Sequence, residues 1–275
     1  MKDVYITIYR IATVLAAGVV ILFGAGCKKN IPVRPIRVMS YNIHYGADAS
    51  GALNLDRVAN VISGSGADIA ALQEVDRVWG KRSGYMDEAA YLSEALGMEF
   101  AFGATLDRQP DQAGVGEFGV MILSKFPIAS WEFHFLPSSL EQRGVLLAWI
   151  DIYGERIPVA CTHLGLSGAE RANQIADALA WLPDDERLFL LGDFNAEPAE
   201  PEILDVKRRF HDIQEYHGLG GEGTFFYEGR RVRIDYIFAR TKWRTAGFHV
   251  IQERASDHYP VVAEILPVPL DLLSR

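Results

Sequence analysis

The chain is poor in cysteine: its 275 residues hold only Cys27 and Cys161, too few and too unlike in setting for a disulfide framework. No cysteine pair and no HExxH spacing occurs, which removes the usual zinc ligand sets. Basic residues are outnumbered, 27 Lys and Arg against 36 Asp and Glu, and the formal charge of −9 opposes a polyanion at long range, although a multivalent cation in a site would reverse that field locally. Internal repeats and low-complexity tracts are absent as well. What remains is an ordinary folded-domain composition, 49% hydrophobic and 23% charged. Cys161, inside VACTH, reads as a small buried hydrophobe.

Long apolar runs are also lacking, except at the N-terminus. Lys2 and Arg10 precede an uncharged stretch at 11–26, shorter than the ~20 residues of a bilayer span and suited to a signal h-region. It ends in Gly24-Ala25-Gly26, followed by Cys27 and Lys28-Lys29. This resembles a bacterial lipoprotein signal, in which the cysteine is lipidated and becomes the new N-terminus; Gly24 stands where that pattern prefers a larger aliphatic residue. The alternatives are an uncleaved helical anchor, with Arg10 snorkelling, and ordinary secretion or periplasmic release. All three place the remaining chain outside the cytoplasm. The expectation is a protein of the bacterial cell envelope, membrane-anchored through residues 1–27, with 28–35 as a proline-containing tether and 267–275 as a C-terminal tail.

Between these ends, one α/β domain is expected over 36–266. Strands are read at IRVMSYN (36–42), DIAALQEV (68–75), FGVMILS (118–124), VLLAWIDI (145–152), IPVACTHL (157–164), LFLLGDF (188–194), RIDYIFA (233–239) and PVVAEIL (260–266). Several are apolar nearly throughout, as strands are when both faces of a sheet are covered. Helical periodicity occurs at 55–63, at 87–96 before Gly97, and at 169–182 before Pro183. Too few helices intervene for a barrel of βα units, and 145–152 and 157–164 form a hairpin through Gly154. Mixed sheets packed face to face with helices outside fit this pattern.

Polar residues recur where these strands end: Asn42 and His44, Glu74, His163, Asp193 with Asn195, Asp235 within RIDYIF, and Asp257-His258 before the last strand. Each alone has a structural explanation, as a turn cap or a hydrogen-bonded histidine. Together they offer oxygen ligands suited to Mg2+ or Mn2+ and imidazoles beside carboxylates suited to proton transfer.

The ordered series YNIHYG, LQEVD, THL, GDFNAEP, RIDYIF and SDHYPV, spread over 36–266, resembles the endonuclease/exonuclease/phosphatase superfamily, the group of DNase I, exonuclease III, neutral sphingomyelinase and inositol polyphosphate 5-phosphatases. The resemblance implies a four-layer α/β sandwich and metal-dependent hydrolysis of phosphate esters by in-line attack of activated water. It assigns Glu74, Asn42 and Asp257 to the metal, Asp193 and Asn195 to the attacking water and the transition state, and His258 with Asp235 to a catalytic dyad. His163 matches a second histidine of the DNase I and sphingomyelinase branches. Glu117 occupies the place of the glutamate that supports that histidine, and Arg143 resembles an arginine that reaches the phosphate. A surface ion pair is the plain alternative for Glu117 and Arg143.

The ester itself is less legible. Substrate-determining loops are expected at 80–87, 106–116, 137–142 and 216–223, of which only the first carries a basic cluster, Lys81-Arg82. An unspecified phosphodiester is preferred, with nucleic acid, phospholipid such as sphingomyelin, and small-molecule esters as candidates; no protein partner is expected. A surface binding protein without turnover is the remaining class, and the full set of catalytic positions argues against it.

Overall fold

Residues 34–108, 116–240 and 243–266 are described by the computed structural model. Cys27, the whole segment 1–27, most of the tether and the tail 267–275 lie outside the described residues.

One sheet is built from β1 (Ile36–Asn42), β2 (Ile69–Arg77), β3 (Glu99–Arg108), β4 (Gly116–Ser124), β13 (Arg244–Val250) and β14 (Val261–Leu266), in the order β13-β14-β1-β2-β4-β3. The other holds β5 (Ile128–Leu136), β6 (Arg143–Ile152), β7 (Glu155–His163), β8 (Phe189–Asp193), β9 (His211–Asp212) and β12 (Asp235–Ala239), in the order β5-β6-β7-β8-β12-β9. A short ribbon of β10 (Phe225–Tyr227) and β11 (Arg230–Val232) stands apart. Each large sheet is mixed: β1 runs parallel to β2 and β7 parallel to β8, and the remaining pairs are antiparallel.

Alternation of side chains gives each strand two buried faces. Val38, Ile69, Ala71 and Ile122 of the first sheet meet Leu146, Val159, Cys161 and Leu191 of the second in the central layer. On the far side of the first sheet, Met39, Leu72 and Met121 pack on α1 (Leu55–Ser65) and α2 (Glu88–Leu96). On the far side of the second, Leu147, Leu190 and Phe238 pack on α3 (Gly168–Trp181) and α4 (Pro201–Lys207), and a single turn, α5 (Ile213–Tyr216), follows β9. The result is the four-layer α/β sandwich. Each fully buried Leu, Ile or Val contributes roughly 1.5–3 kcal/mol.

The helices start and stop where their sequences dictate. Asn54, Asp87 and Ser167 accept the backbone N–H of Arg57, Ala90 and Glu170, and α1 and α2 end on left-handed Gly66 and Gly97. The hairpin expected between 145–152 and 157–164 is present as β6 and β7, turning through Tyr153 and Gly154, both at positive φ. β7 and β8 approach closely at Gly192, where a Cβ would lie 2.1 Å from the Thr162 carbonyl oxygen.

One boundary differs in a way that matters. Asp235 is the first residue of β12, not an interior one, and it pairs directly across from Asp193, the last residue of β8.

Candidate active site

β1, β7 and β8 end and β12 begins at one edge of the sandwich, so Asn42, His163, Asp193 and Asp235 share one place. Glu74 joins them from a bulge inside β2, which runs on to Arg77. Asn42 is the centre. Its Nδ2 donates to Glu74 Oε1 at 3.0 Å and to Asp193 Oδ2 at 3.1 Å, so one amide joins a carboxylate from each sheet. Its Oδ1 accepts the His44 N–H at 3.0 Å, and its backbone carbonyl accepts Ser256 Oγ at 2.8 Å.

Glu74 sits in a bulge between Leu72 and Val75 with φ 57, and Asn195 has φ 49. Left-handed conformations are unfavourable for non-glycine residues and gather at functional sites. Asn195 bends back so that its N–H reaches Asp193 Oδ1 at 2.9 Å, while its Nδ2 approaches His163 Nε2 at 3.1 Å and the Leu164 carbonyl at 2.9 Å.

His258 and Asp235 form the expected pair, with Nδ1 to Oδ2 at 2.9 Å, both side chains buried. The other nitrogen of His258 faces Asp193 Oδ2 at 3.7 Å, and Asp235 Oδ1 is buried without a hydrogen-bond partner. Burial works against a charged His258, but Asp235 and Asp193 outweigh it and hold the imidazole pKa above its ordinary value. Asp193 is pushed upward by burial and then by the negative charge of Asp235. His163 moves the opposite way. Burial, then Arg143, then His258 hold it well below the ordinary histidine range, so it is neutral at physiological pH.

Sequence reasoning missed the residues that aim the dyad. Thr224 Oγ1 accepts the backbone N–H of Ile234 and Asp235, both at 3.2 Å, and the Phe225 ring lies 4.6 Å from that of His258. Neither stands in a periodic segment, and nothing in GTFF signals the role. Ser256 was present in the SDHYPV motif, and its hydroxyl bonds Asn42, Asp257 and the His258 N–H. Asp257 itself is half-buried, 3.8 Å from His44 Nδ1.

The expectation for Glu117 is corrected. Glu117 pairs with Arg77 across the β2–β4 ladder at 2.9 Å instead of supporting His163, because residue 117 faces away from the second sheet. His163 Nδ1 is held by Arg143 Nη1 at 3.1 Å. Arg143 is buried beside the site and also pairs with Glu141 at 2.6 Å, so His163 and Glu141 share the guanidinium.

The donor set suits a hard cation. Two carboxylates from different strands meet on one nitrogen, and the upward shift of Asp193 marks a place short of positive charge. Asp193, Asp235 and His258 also bring one ligand atom each within 4.8 Å of one another.

The sequence profile of the Endonuclease/Exonuclease/phosphatase family matches residues 39–258, which takes in every motif from Asn42 to His258. The chain belongs to the endonuclease/exonuclease/phosphatase family. Members of this family hydrolyse phosphoric esters and generally use a divalent metal. The protein YbhP of Escherichia coli K12 is 30% identical over 251 residues, covering 83% of this chain and 95% of its own. Among solved structures, the family protein from Beutenbergia cavernae superposes with a TM-score of 0.71 at 24% identity, over 85% of this chain and 72% of that one. A mannosyl-6-phosphatase from Bacteroides thetaiotaomicron gives 0.67 at 18% identity, over 84% and 100%. These two structures share the fold.

Proposed function

We propose that this family member is a phosphodiesterase of the bacterial cell envelope that uses Mg2+ or Mn2+ and cleaves its ester by in-line attack of water. The observation that carries the reading is the Asn42 amide joining Glu74 and Asp193 beside the buried His258–Asp235 pair.

Glu74, with Asn42 bonded to it and Asp257 tied to the Asn42 carbonyl through Ser256, is the better seat for the cation than the Asp193, Asp235 and His258 trio. In the trio, His258 is held protonated by Asp235 and Asp193, and a protonated imidazole binds no metal. A divalent cation at Glu74 would polarise a phosphoryl oxygen and offset the negative charge that builds on phosphorus.

This chain's own residues do the rest. Asp193 orients the attacking water and accepts its proton, a task suited to a carboxylate whose pKa is raised. His258, kept protonated by Asp235, donates to a phosphoryl oxygen as negative charge develops. Asn195 and neutral His163 supply further donors on the same side, with no covalent enzyme intermediate.

The envelope assignment rests on residues 1–27 and Cys27. The net charge of −9 favours a small or lipid phosphodiester over a polynucleotide. The deciding assay presents the detergent-solubilised chain, with Mg2+ or Mn2+, to bis-p-nitrophenyl phosphate, p-nitrophenyl phosphate, sphingomyelin, phosphatidylinositol and DNA. Diester turnover that EDTA abolishes is expected. Metal-independent hydrolysis, or none on any ester, would sink the reading.

A further inference from the structure

β2 does not run straight into the site. Its ladder with β4 shifts between Leu72 and Val75, and Glu74 within that bulge is held left-handed, which a glutamate tolerates only when its surroundings impose it. The residues after Glu74 are tied down. Buried Asp76 receives Arg82 Nε at 2.9 Å and Nη2 at 2.7 Å, and its own N–H donates to Glu88 Oε2 at 2.9 Å.

The same guanidinium lies 4.6 Å over the Tyr45 ring, 5.0 Å over Phe118 and 5.4 Å over Trp79. Tyr45 belongs to the left-handed turn after Asn42, and its neighbour His44 gives its N–H to Asn42 Oδ1. One side chain therefore touches both loops that carry the amide and the carboxylate of the site.

We infer that Arg82 is a positioning residue for Glu74 and Asn42. Bidentate on Asp76 and stacked on Tyr45, it fixes the bulge against the turn so that the two side chains meet in the geometry a divalent cation requires. The inference rests on the phosphodiesterase reading. A planar fork that also stacks is specific to arginine, and lysine supplies the charge without either contact. An ordinary surface ion pair would not join two loops or hold a fully buried partner, as Asp76 is here.

The test is Mn2+ binding to the full chain, followed by calorimetry and by the electron paramagnetic resonance of the free ion, with kcat and KM on bis-p-nitrophenyl phosphate beside it. Arg82→Met and Arg82→Lys are each expected to weaken Mn2+ binding by about 10- to 100-fold, the usual loss when support for a metal ligand is removed. Their kcat should fall while KM for the ester holds. Arg187→Met, which loses a comparable bidentate pair with Asp185 at the other end of β8, should bind Mn2+ as wild type does. If Arg82→Met does not fold, Arg82→Lys decides. Wild-type Mn2+ affinity in the Arg82 variants overturns the inference, and so does an equal loss in Arg187→Met. A wild-type chain that binds no Mn2+ overturns the phosphodiesterase reading and this one with it.

Discussion

Asp68 and Asp193 are both buried aspartates at strand ends, one at the foot of β2 and the other at the head of β8, and the protein treats them oppositely. Asp68 takes both ends of the Arg34 guanidinium at 2.8 Å, the Arg37 N–H at 3.0 Å and Lys125 at 3.5 Å. Burial works against its charge, yet these partners hold its pKa below the ordinary range. Asp193 meets another carboxylate directly across the ladder, two imidazoles and one amide, and its pKa is raised. One end of the sandwich is electrostatically satisfied. The other is left in conflict, and such conflict is characteristic of functional sites.

The sharpest way to break this contrast is to neutralise each aspartate in turn. Asp193→Asn and His258→Ala should lower kcat by about 10²–10⁴ while the chain still folds, as steady-state kinetics and circular dichroism will show. Undiminished metal-dependent turnover in His258→Ala would remove the dyad from the mechanism. Asp68→Asn should leave kcat alone and lower stability by about 2 kcal/mol, through the hydrogen bonds lost at a buried group, read by urea denaturation. Its folded pKa lies below the unfolded value, so this contribution is complete above about pH 4 and is lost as pH falls further. The variant should therefore lack that part of the acid destabilisation.

Glu88 gives a smaller effect of opposite sign. Burial raises its pKa from 4.5 to about 8, so the native state retains a proton that the unfolded chain releases, and stability declines as pH rises between those values. Glu88→Gln should flatten this slope while its side-chain carbonyl keeps the Asp76 N–H. The least effect is expected from Glu117→Gln, which loses a partly exposed pair with Arg77: stability changes by less than about 1 kcal/mol, and activity is unchanged. A large loss of activity there would restore Glu117 to the site.

The same contrast explains what was legible in the sequence. β1, β2, β6, β7, β8, β12 and β14 have two neighbours each and read as dense apolar runs. Six strands were not legible: β3, β5, β9 and β13 are the edges of the two large sheets, where apolar density falls, and β10 and β11 form the short ribbon; WEFHF in β5 is mostly exposed or half-exposed. The site residues were legible because polar side chains interrupt apolar strands at their ends. Thr224 and Phe225 were not, since no periodicity marks them, and Arg82 showed only as half of a basic pair, its ties to Asp76 and Tyr45 invisible in the chain. Glu117 misled for the reverse reason: its position in the chain suited His163, and only the pleat of β4 shows which way it points.

Gly192 sets a gauge between two rails. The backbone of β7 passes so near that no side chain fits between them, and the next residue is Asp193. A methyl group there would act as a wedge, widening the gap just where His163 and Asp193 stand side by side in the parallel register. Surface loops in general tolerate changes of length and composition. This joint does not, so new substrates are to be sought by changing the rim and leaving the track beneath it alone.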